Sequence, residues 1–269
     1  MGWFDVHAHL THPRVSPHLD AVVARARAAG VTSILSNGLN PTDNAAVRAA
    51  ARAHSIVRPC FGFYPVDAVL KEMHDLGVDV PRDDDTPIPT AEAAITWVRD
   101  HVDEAFAVGE IGLDGYWVPE ALWARQEDIF RALVRIALDA DKAIIIHTRK
   151  RERRAFEVLV ELGARRVVWH CFGGKVKLAR QIAAHGHWLS IPANARRHQA
   201  FTRMLETLPR DRLLLETDTP YLGPDREHDN EPANVALTGQ YAAELWSVPI
   251  DDVRAQFEDN YEAVFRARP

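Results

Sequence analysis

Short apolar runs alternate with longer amphipathic stretches along the whole chain, and this alternation restricts the fold more than any other feature. The runs at 143–146 and 213–215 are apolar without a polar residue at every second position. Strands of this kind are buried on both faces, as in a parallel sheet covered by helices. Eight strand-then-helix units in 269 residues predict a single-domain α/β fold, a TIM (β/α)8 barrel. An open doubly wound sheet is the alternative.

The predicted strands cover residues 2–7, 31–36, 56–62, 105–109, 143–146, 166–170, 188–191 and 212–216. Helical patterns lie between them at 19–29, 45–54, 91–102, 120–138, 153–162 and 177–185, and C-terminal helices are expected within 234–269. No Gly-rich phosphate loop follows the first predicted strand, which weakens the nucleotide-binding version of the open sheet. No linker divides the chain, so residues 1–269 are predicted to form one domain.

The main irregular segment is 65–89, which carries three consecutive aspartates at 83–85 and several prolines. This composition predicts an inserted polar loop after the third strand, with a short helix at 69–76. A lid over a site is one interpretation. A tolerated surface insertion is favoured, because composition alone rarely identifies a lid.

Composition narrows the classes of function. The formal net charge is −6, so a broad basic surface for nucleic acid is not expected, and an anionic substrate would need local contacts. No apolar run approaches the ~20 residues of a membrane span, and the N-terminus resembles no secretion signal. Cys60 and Cys171 imply no disulfide framework. The chain is therefore predicted to be a cytoplasmic monomer without a membrane partner.

Polar side chains follow the predicted strands where a barrel carries its catalytic groups, at the C-terminal ends. Each comes after an apolar run, and the set contains only imidazoles and carboxylates, the common protein ligands of divalent transition metals. The predicted metal ligands are His7, His9, Glu110, His147, His170 and Asp218.

Each of these residues also has an ordinary structural interpretation. His7 and His9 share one face of a strand because they are two residues apart, yet such a pair alone is weak evidence. Glu110 could form a salt bridge with an arginine, or bridge two metal ions about 3.5–4 Å apart. His147 and His170 could be satisfied core histidines, an interpretation that their positions at consecutive strand ends make less attractive.

The eighth predicted strand ends in two acids on one face, Glu216 and Asp218. Asp218 is the candidate metal ligand and the base that orients and deprotonates an attacking water. Glu216 is one pleat deeper and is predicted to support a ligand from outside the metal's coordination sphere. A structural acid paired with a buried Arg or Lys is an equally good interpretation of Glu216.

Basic residues follow three of these strands, and most are expected to be solvated helix starts. Arg149, which lies nearest to a predicted ligand, is the best candidate for a phosphate contact. Cys171 adjoins His170 but should point the opposite way along the strand, so it is predicted to pack in the core. Imidazole-rich ligation suits zinc, whereas a carboxylate-containing open site can also hold magnesium or manganese.

Taken together, the motifs resemble the TatD family of metal-dependent deoxyribonucleases, within the amidohydrolase superfamily. They occur in the family's order: 4-FDVHAHL-10, 109-GEIGLD-114, 146-IHTR-149, 170-HCFGG-174, 216-ETDTPYL-222 and 230-NEP-232. The resemblance implies a TIM barrel with two divalent ions that hydrolyses phosphodiester bonds in DNA or short oligonucleotides. It implies one ion on His7, His9, Glu110 and Asp218, and a second on Glu110, His147 and His170. Glu110 and Asp218 would be the catalytic carboxylates.

The chain departs from the family pattern near the implied substrate site. The family usually has Gly-x-His-Pro after the third strand, and here Tyr64 replaces the histidine with a phenol that is uncharged near neutral pH. Asp229 precedes Asn230 where the family often has a basic residue, and Arg226 is the nearest basic residue of that loop. Tyr64, Arg226 and Asn230 join Arg149 as predicted substrate-binding residues. The insertion at 65–89 is longer than the family pattern.

Two other functions stay open at this stage. The same metals could serve an ester, lactone or amide hydrolase, as elsewhere in the superfamily. Glu110 disfavours the subgroup that bridges its metals with a carbamylated lysine. Alternatively, the barrel could be a non-catalytic subunit of a larger assembly, although an intact ligand set argues against that.

Overall fold

In the computed structural model, residues 2–82 and 87–266 are described, and the aspartates at 83–85 lie outside them. Eight parallel strands form one sheet in chain order. They are β1 (Trp3–Ala8), β2 (Val31–Asn37), β3 (Val57–Phe61), β4 (Ala107–Asp114), β5 (Ala143–Arg149), β6 (Val167–Trp169), β7 (Trp188–Ile191) and β8 (Leu213–Leu215).

Ten α-helices are described within the same ranges. They are α1 (Leu19–Ala28), α2 (Pro41–Ala53), α3 (Leu70–Asp75), α4 (Ala91–His101), α5 (Trp123–Asp139), α6 (Glu152–Glu161), α7 (Val176–Ala184), α8 (Gln199–Thr207), α9 (Val235–Trp246) and α10 (Ile250–Phe265). The last two are the expected C-terminal helices. None of the described helices has the length and apolar character needed to cross a bilayer.

The first and last strands meet and close the sheet. Ala8 pairs in parallel with Thr219, just beyond β8. The His9 amide donates to the Thr219 carbonyl at 2.9 Å, and the Asp218 amide donates to the His7 carbonyl at 2.8 Å. The predicted TIM barrel is therefore confirmed, and the open doubly wound sheet is wrong.

Two apolar layers flank the strands. One cluster takes residues from every strand, among them Val6, Leu35 and Ile145, so it fills the barrel interior; Tyr261 and Phe265 of α10 belong to it. A larger cluster lies between the strands and the surrounding helices. The strands are thus buried on both faces, as their unalternated apolar runs predict.

Register shifts occur in the two strands that carry the first predicted ligands. The pairing of β1 with β2 shifts between Asp5 and Ala8, and the pairing of β4 with β5 shifts between Val108 and Ile111. Irregularities of this kind re-aim side chains next to active sites. Here Val6 faces the barrel interior, whereas His7, the next residue, belongs to the polar group at the mouth.

Two predicted strand ends are wrong by more than one residue. Strand β4 continues past Glu110 to Asp114, and β5 continues past His147 to Arg149. The predictions took the first charged or imidazole side chain as the end of each strand. In β4 and β5, however, the polar residues continue the hydrogen-bonded ladder between the two strands.

The segment at 65–89 is not wholly a surface insertion, so the favoured interpretation needs correction. The expected short helix is present as α3, preceded by a 3-10 turn at Asp67–Val69. Val69, Leu70 and Met73 are buried, and Val69 and Met73 join the large apolar cluster. The described remainder borders a cavity at the barrel mouth through Pro81 and Arg82.

Candidate metal centre

The predicted ligands converge at the C-terminal mouth of the barrel, on the floor of a cavity of about 460 Å³. His7 lies on β1 and His9 just beyond it, whereas Glu110 and His147 lie within β4 and β5. His170 and Asp218 follow β6 and β8. Parallel strands that close into a barrel bring these distant positions together at one end.

Four donor atoms form a compact first group. His7 Nε2 lies 3.2 Å from His9 Nε2. Glu110 Oε2 lies 3.4 and 3.5 Å from these two nitrogens, and Asp218 Oδ1 lies 3.6 and 3.5 Å from them. Ligand atoms held about 2.0–2.2 Å from a zinc ion in a tetrahedron are about 3.3–3.6 Å apart. The two imidazole nitrogens and Glu110 Oε2 therefore have the spacing of ligands to one divalent cation, and Asp218 Oδ1 lies beside both nitrogens.

The other carboxylate oxygen of Glu110 belongs to a second group. Glu110 Oε1 lies 3.0 Å from His147 Nδ1 and 3.8 Å from His170 Nε2. Donor atoms of these three residues lie within 4.8 Å of one another. Because each oxygen of Glu110 faces a different set of imidazoles, this carboxylate has the geometry of a bridge between two cations.

Outer hydrogen bonds orient three of the four imidazoles. His147 Nε2 is 3.0 Å from Asp114 Oδ2, and His170 Nδ1 is 3.2 Å from Glu216 Oε2. His9 Nδ1 is 3.1 Å from the Asn37 carbonyl. Such partners fix the ring orientation of a ligating histidine and raise its basicity.

The surroundings of the two acids at the centre favour their ionised forms. Burial raises the pKa of Glu110, but hydrogen bonds from His147 and His7 outweigh it and hold that pKa well below its usual range. Burial likewise opposes ionisation of Asp218, and the charges and hydrogen bonds of His170, His9 and His7 lower its pKa overall.

The pKa of each imidazole at the centre depends on whether carboxylates or other imidazoles surround it. Burial lowers the pKa of His9 and of His147, yet neighbouring carboxylates raise each of them to about 9. Burial and the proximity of His170 lower the pKa of His7. Within residues 2–82 and 87–266, the ion-pair partners of Glu110 and Asp218 are histidines. A buried anionic pair without Lys or Arg partners is a donor set that suits divalent cations.

Glu216 contacts the ring nitrogen of His170 that does not face Glu110, and a donor atom of Glu216 also lies within 4.8 Å of donor atoms of His7 and His170. Its carboxylate accepts from Ser190 Oγ at 2.6 Å and from the Cys171 amide at 2.9 Å, in addition to its contact with His170 Nδ1. None of its partners among the described residues is a buried Arg or Lys, so the alternative interpretation finds no support there. Cys171 packs against the large apolar cluster, but it lies beyond β6 with a positive φ of 40°, so strand alternation does not place it.

Two of the four predicted substrate-binding residues face the cavity. Arg149 and Tyr64 line it together with Glu110, His147 and Asp218. The Tyr64 ring packs edge-on against the His147 ring, with centroids 5.1 Å apart. Burial and nearby carboxylates raise the pKa of Tyr64 well above its usual value, so its hydroxyl is a neutral hydrogen-bond donor.

Asn230 and Arg226 are placed elsewhere. Asn230 is buried, and its side-chain amide donates to the Thr217 and Tyr221 carbonyls at 2.7 and 2.8 Å. Its carbonyl oxygen accepts from the Glu231 amide and from Asn234. Asn230 therefore stabilises the backbone on either side of Asp218, and it does not line the cavity. Arg226 lines a neighbouring groove with Asp225.

Sequence reasoning missed Asp114, which contacts His147. The available signal was strand periodicity, because residues at 110 and 114 are four apart and fall on the same face of a strand. Ending the predicted strand at 109 hid this relation.

Comparisons with known proteins agree with this geometry. The model of a family described as "TatD related DNase" matches residues 4–266. The chain is 27% identical to deoxyribonuclease TATDN3 of Homo sapiens over 257 residues, covering 94% of this chain and 90% of that protein. It is 30% identical to the 3'-5' ssDNA/RNA exonuclease TatD of Escherichia coli over 247 residues, covering 86% of each.

Solved structures show the same fold. The crystal structure of YJJV, a TatD homologue from Escherichia coli, superposes with a TM-score of 0.84 at 22% identity, covering 99% of this chain and 98% of that one. A TatD-family hydrolase from Entamoeba histolytica gives a TM-score of 0.82 at 17% identity, with coverage of 99% and 98%.

Proposed function

The chain belongs to the TatD-related DNase family, and we propose that it hydrolyses phosphodiester bonds of DNA ends or short strands at the centre described above. It is a metal-dependent hydrolase. We also propose that the centre binds two divalent cations, Zn²⁺, Mg²⁺ or Mn²⁺, one at each of the two donor groups. We also propose that the chain is a cytoplasmic monomer. It contacts its substrate only locally, because a net charge of −6 disfavours a broad basic surface.

One observation carries the proposal: the two oxygens of Glu110 face two separate groups of imidazoles. Paired cations about 3.5–4 Å apart are typical of enzymes that displace oxygen leaving groups at phosphorus. A single structural cation would need only one of these groups. The shared carboxylate therefore favours a two-cation hydrolytic centre. The match to a family of DNases favours phosphodiesters as its substrate.

When bound, such cations polarise a phosphoryl oxygen and bring the pKa of a coordinated water toward neutrality. The chain's own residues supply the rest. Asp218 is ionised and faces the cavity, so it can orient the attacking water and accept its proton. Arg149 can donate charge-assisted hydrogen bonds to a phosphate, and the Tyr64 hydroxyl can donate one more.

The test uses purified, metal-loaded protein and end-labelled single-stranded DNA. We expect Asp218→Asn to lower kcat/KM by about 10²–10⁴-fold, as loss of a general base does. His7→Ala should also lower the metal content, measured by elemental analysis. Matched controls are Asp211→Asn and His18→Ala, which replace exposed residues outside the mouth cavity.

The same proteins distinguish the other functions. Nucleotide release that persists in both site variants would show that the activity comes from a contaminant or another site. Turnover of lactones or aryl esters but not of DNA would move the chain to the ester-hydrolase alternative. Stoichiometric capture of a partner without turnover of any ester would support the non-catalytic alternative.

A further inference from the structure

Two adjacent aromatic rings project from the loop after β4, beside the metal centre. Tyr116 is 49% exposed and Trp117 is 37% exposed. Trp117 and Arg149 line the same cavity as Glu110 and His147. We call Tyr116, Trp117 and Arg149 the aromatic ledge. Both rings are partly open to solvent, and Trp117 borders the cavity that Glu110 and His147 also line.

The loop that carries Tyr116 and Trp117 is fixed at both ends. The Tyr116 and Trp117 amides both donate to Asp114 Oδ1 at 2.7 Å. Val118 is buried, and its carbonyl accepts from Trp123 Nε1 at 3.0 Å. A ring held in place before binding loses little conformational freedom when a ligand covers it.

Asp114 also joins the ledge to the centre. Its other oxygen, Oδ2, contacts His147 Nε2 at 3.0 Å. One carboxylate thus sets both the backbone of the ledge and the ring of a predicted ligand. The distance between a group on the ledge and a phosphate at the centre is therefore defined by the fold.

Of the two rings of the ledge, Tyr116 is covered on one face by Arg149. The Arg149 guanidinium carbon lies 3.5 Å from the Tyr116 ring centroid, which is a cation–π contact. Tyr116 meets Trp117 edge to face, with centroids 4.9 Å apart at 87°. Trp117 lines the cavity, and it is the indole that offers a flat surface to an incoming group.

We propose that the aromatic ledge binds a nucleobase of a single-stranded substrate, stacked on Trp117, while the adjoining phosphate lies between Arg149 and the centre. The inference rests on the proposed function and names Trp117 as the side chain that holds a base of the substrate beside the centre. Bases in a duplex already stack on one another, whereas those of a single strand are free to stack on protein rings. A cation beside an aromatic surface is the usual combination for such strands.

Binding is the first test, because it does not depend on cleavage. Metal-loaded protein is titrated into a short fluorescent single strand with phosphorothioate linkages, and anisotropy gives the Kd. We expect Trp117→Ala to raise the Kd by about 5- to 150-fold, the range for loss of one stacked base. The Kd of Trp117→Phe should stay within about 3-fold of the wild-type Kd, because phenylalanine keeps an aromatic face. Leu237→Ala is the control for loss of an exposed apolar side chain outside the mouth cavity.

A second substrate isolates the base. In a strand of the same length with abasic positions at the 3′ end, the phosphates remain and the stacking partner is lost. Wild type should bind this strand as weakly as Trp117→Ala binds the normal one, and the variant should lose nothing further. An equal effect of Trp117→Ala on both strands, or no effect on either, would overturn the inference.

Failure of the ledge and failure of the nuclease proposal give different results. Cleavage of single-stranded DNA that is unchanged in Trp117→Ala, with an unchanged Kd, refutes the ledge and leaves the nuclease. Base-dependent binding without cleavage supports the ledge and refutes the nuclease. Circular dichroism verifies folding, and Tyr116→Ala provides a second variant, for which we expect weaker binding through loss of the support behind Trp117.

Discussion

At the scale of single residues, Glu110 is the side chain on which the centre depends. A buried carboxylate is costly unless cations or donors surround it. The salt bridge with an arginine that the sequence left open is not found within the described residues, where the ion-pair partners of Glu110 are imidazoles. Its charge is therefore balanced by groups that also bind metals.

Asp114 is a positioning residue, and its substitution is the sharpest test at this scale. In Asp114→Asn the amide oxygen can still accept from the loop amides, but an NH₂ group would face His147 Nε2 and favour the wrong ring tautomer. We expect metal affinity, measured by calorimetry, and kcat/KM on DNA both to fall by about 10–100-fold.

Asp225→Asn is the matched control for this change. Asp225 Oδ1 accepts two successive loop amides, those of Glu227 and His228, and also contacts His228 Nδ1. It has the same local pattern outside the centre. If Asp114→Asn lowered thermal stability as Asp225→Asn does but left metal affinity unchanged, the positioning role would be refuted.

At the scale of elements, the sequence predicts the eight strands because both of their faces are apolar. It fails where function interrupts that pattern. Glu110 and His147 end the predicted strands, yet β4 and β5 continue through them, since their polar groups meet one another across the mouth instead of solvent. The contacts of the centre are not visible in a local window of sequence.

Loops account for the other differences. Arg226 and Asn230 lie in one segment, yet Arg226 lines a neighbouring groove and Asn230 bonds to backbone 9 and 13 residues away. Residue type and order predict a polar contact but not its partner. His7, His9 and Asp218 could be placed because strand direction fixes which end of the barrel they share.

Gly62 gives a prediction for an element, because β4 passes directly over it. A Cβ on Gly62 would overlap the backbone nitrogen and carbonyl oxygen of Glu110. Gly62→Ala should therefore push β4 outward, lower the free energy of unfolding by about 1–3 kcal/mol and reduce metal affinity. Urea unfolding and metal content measure the two effects.

Gly173→Ala controls for the change of residue type, since a Cβ there meets nothing within 4 Å. Its loss of stability should be small. A Gly62→Ala protein with wild-type metal content would show that the contact with Glu110 does not position the carboxylate.

At the scale of the whole molecule, the closure of the barrel and the assembly of the centre use the same backbone. The hydrogen bonds that join the first strand to the last involve His7, His9 and Asp218. These are three of the four residues of the first donor group. Closure therefore brings residues from the two ends of the chain to one cation site, and an open sheet could not do so.

The buried ring of His187 makes the free energy of unfolding of the whole molecule depend on pH. This ring is buried, accepts from Trp169 Nε1 at 3.2 Å and lies 3.0 Å from the Ala164 carbonyl. Burial lowers its pKa from 6.5 to about 4. The folded protein thus holds this histidine neutral at a pH where the unfolded chain already binds a proton.

The sign of the pH effect follows from that depressed pKa. The contribution of His187 is fully present above pH 6.5 and is lost as the pH falls toward 4, by about 3 kcal/mol in total. Glutamine cannot take up a proton, so the His187→Gln protein does not lose this contribution at low pH. The difference in free energy of unfolding between wild type and His187→Gln should therefore decrease by that amount from pH 8 to pH 4. Urea unfolding of chelator-treated proteins measures it. The exposed His18→Gln is the control for the change of residue type. A constant difference between wild type and His187→Gln over this pH range would mean that the ring takes up a proton inside the folded barrel as readily as in the unfolded chain.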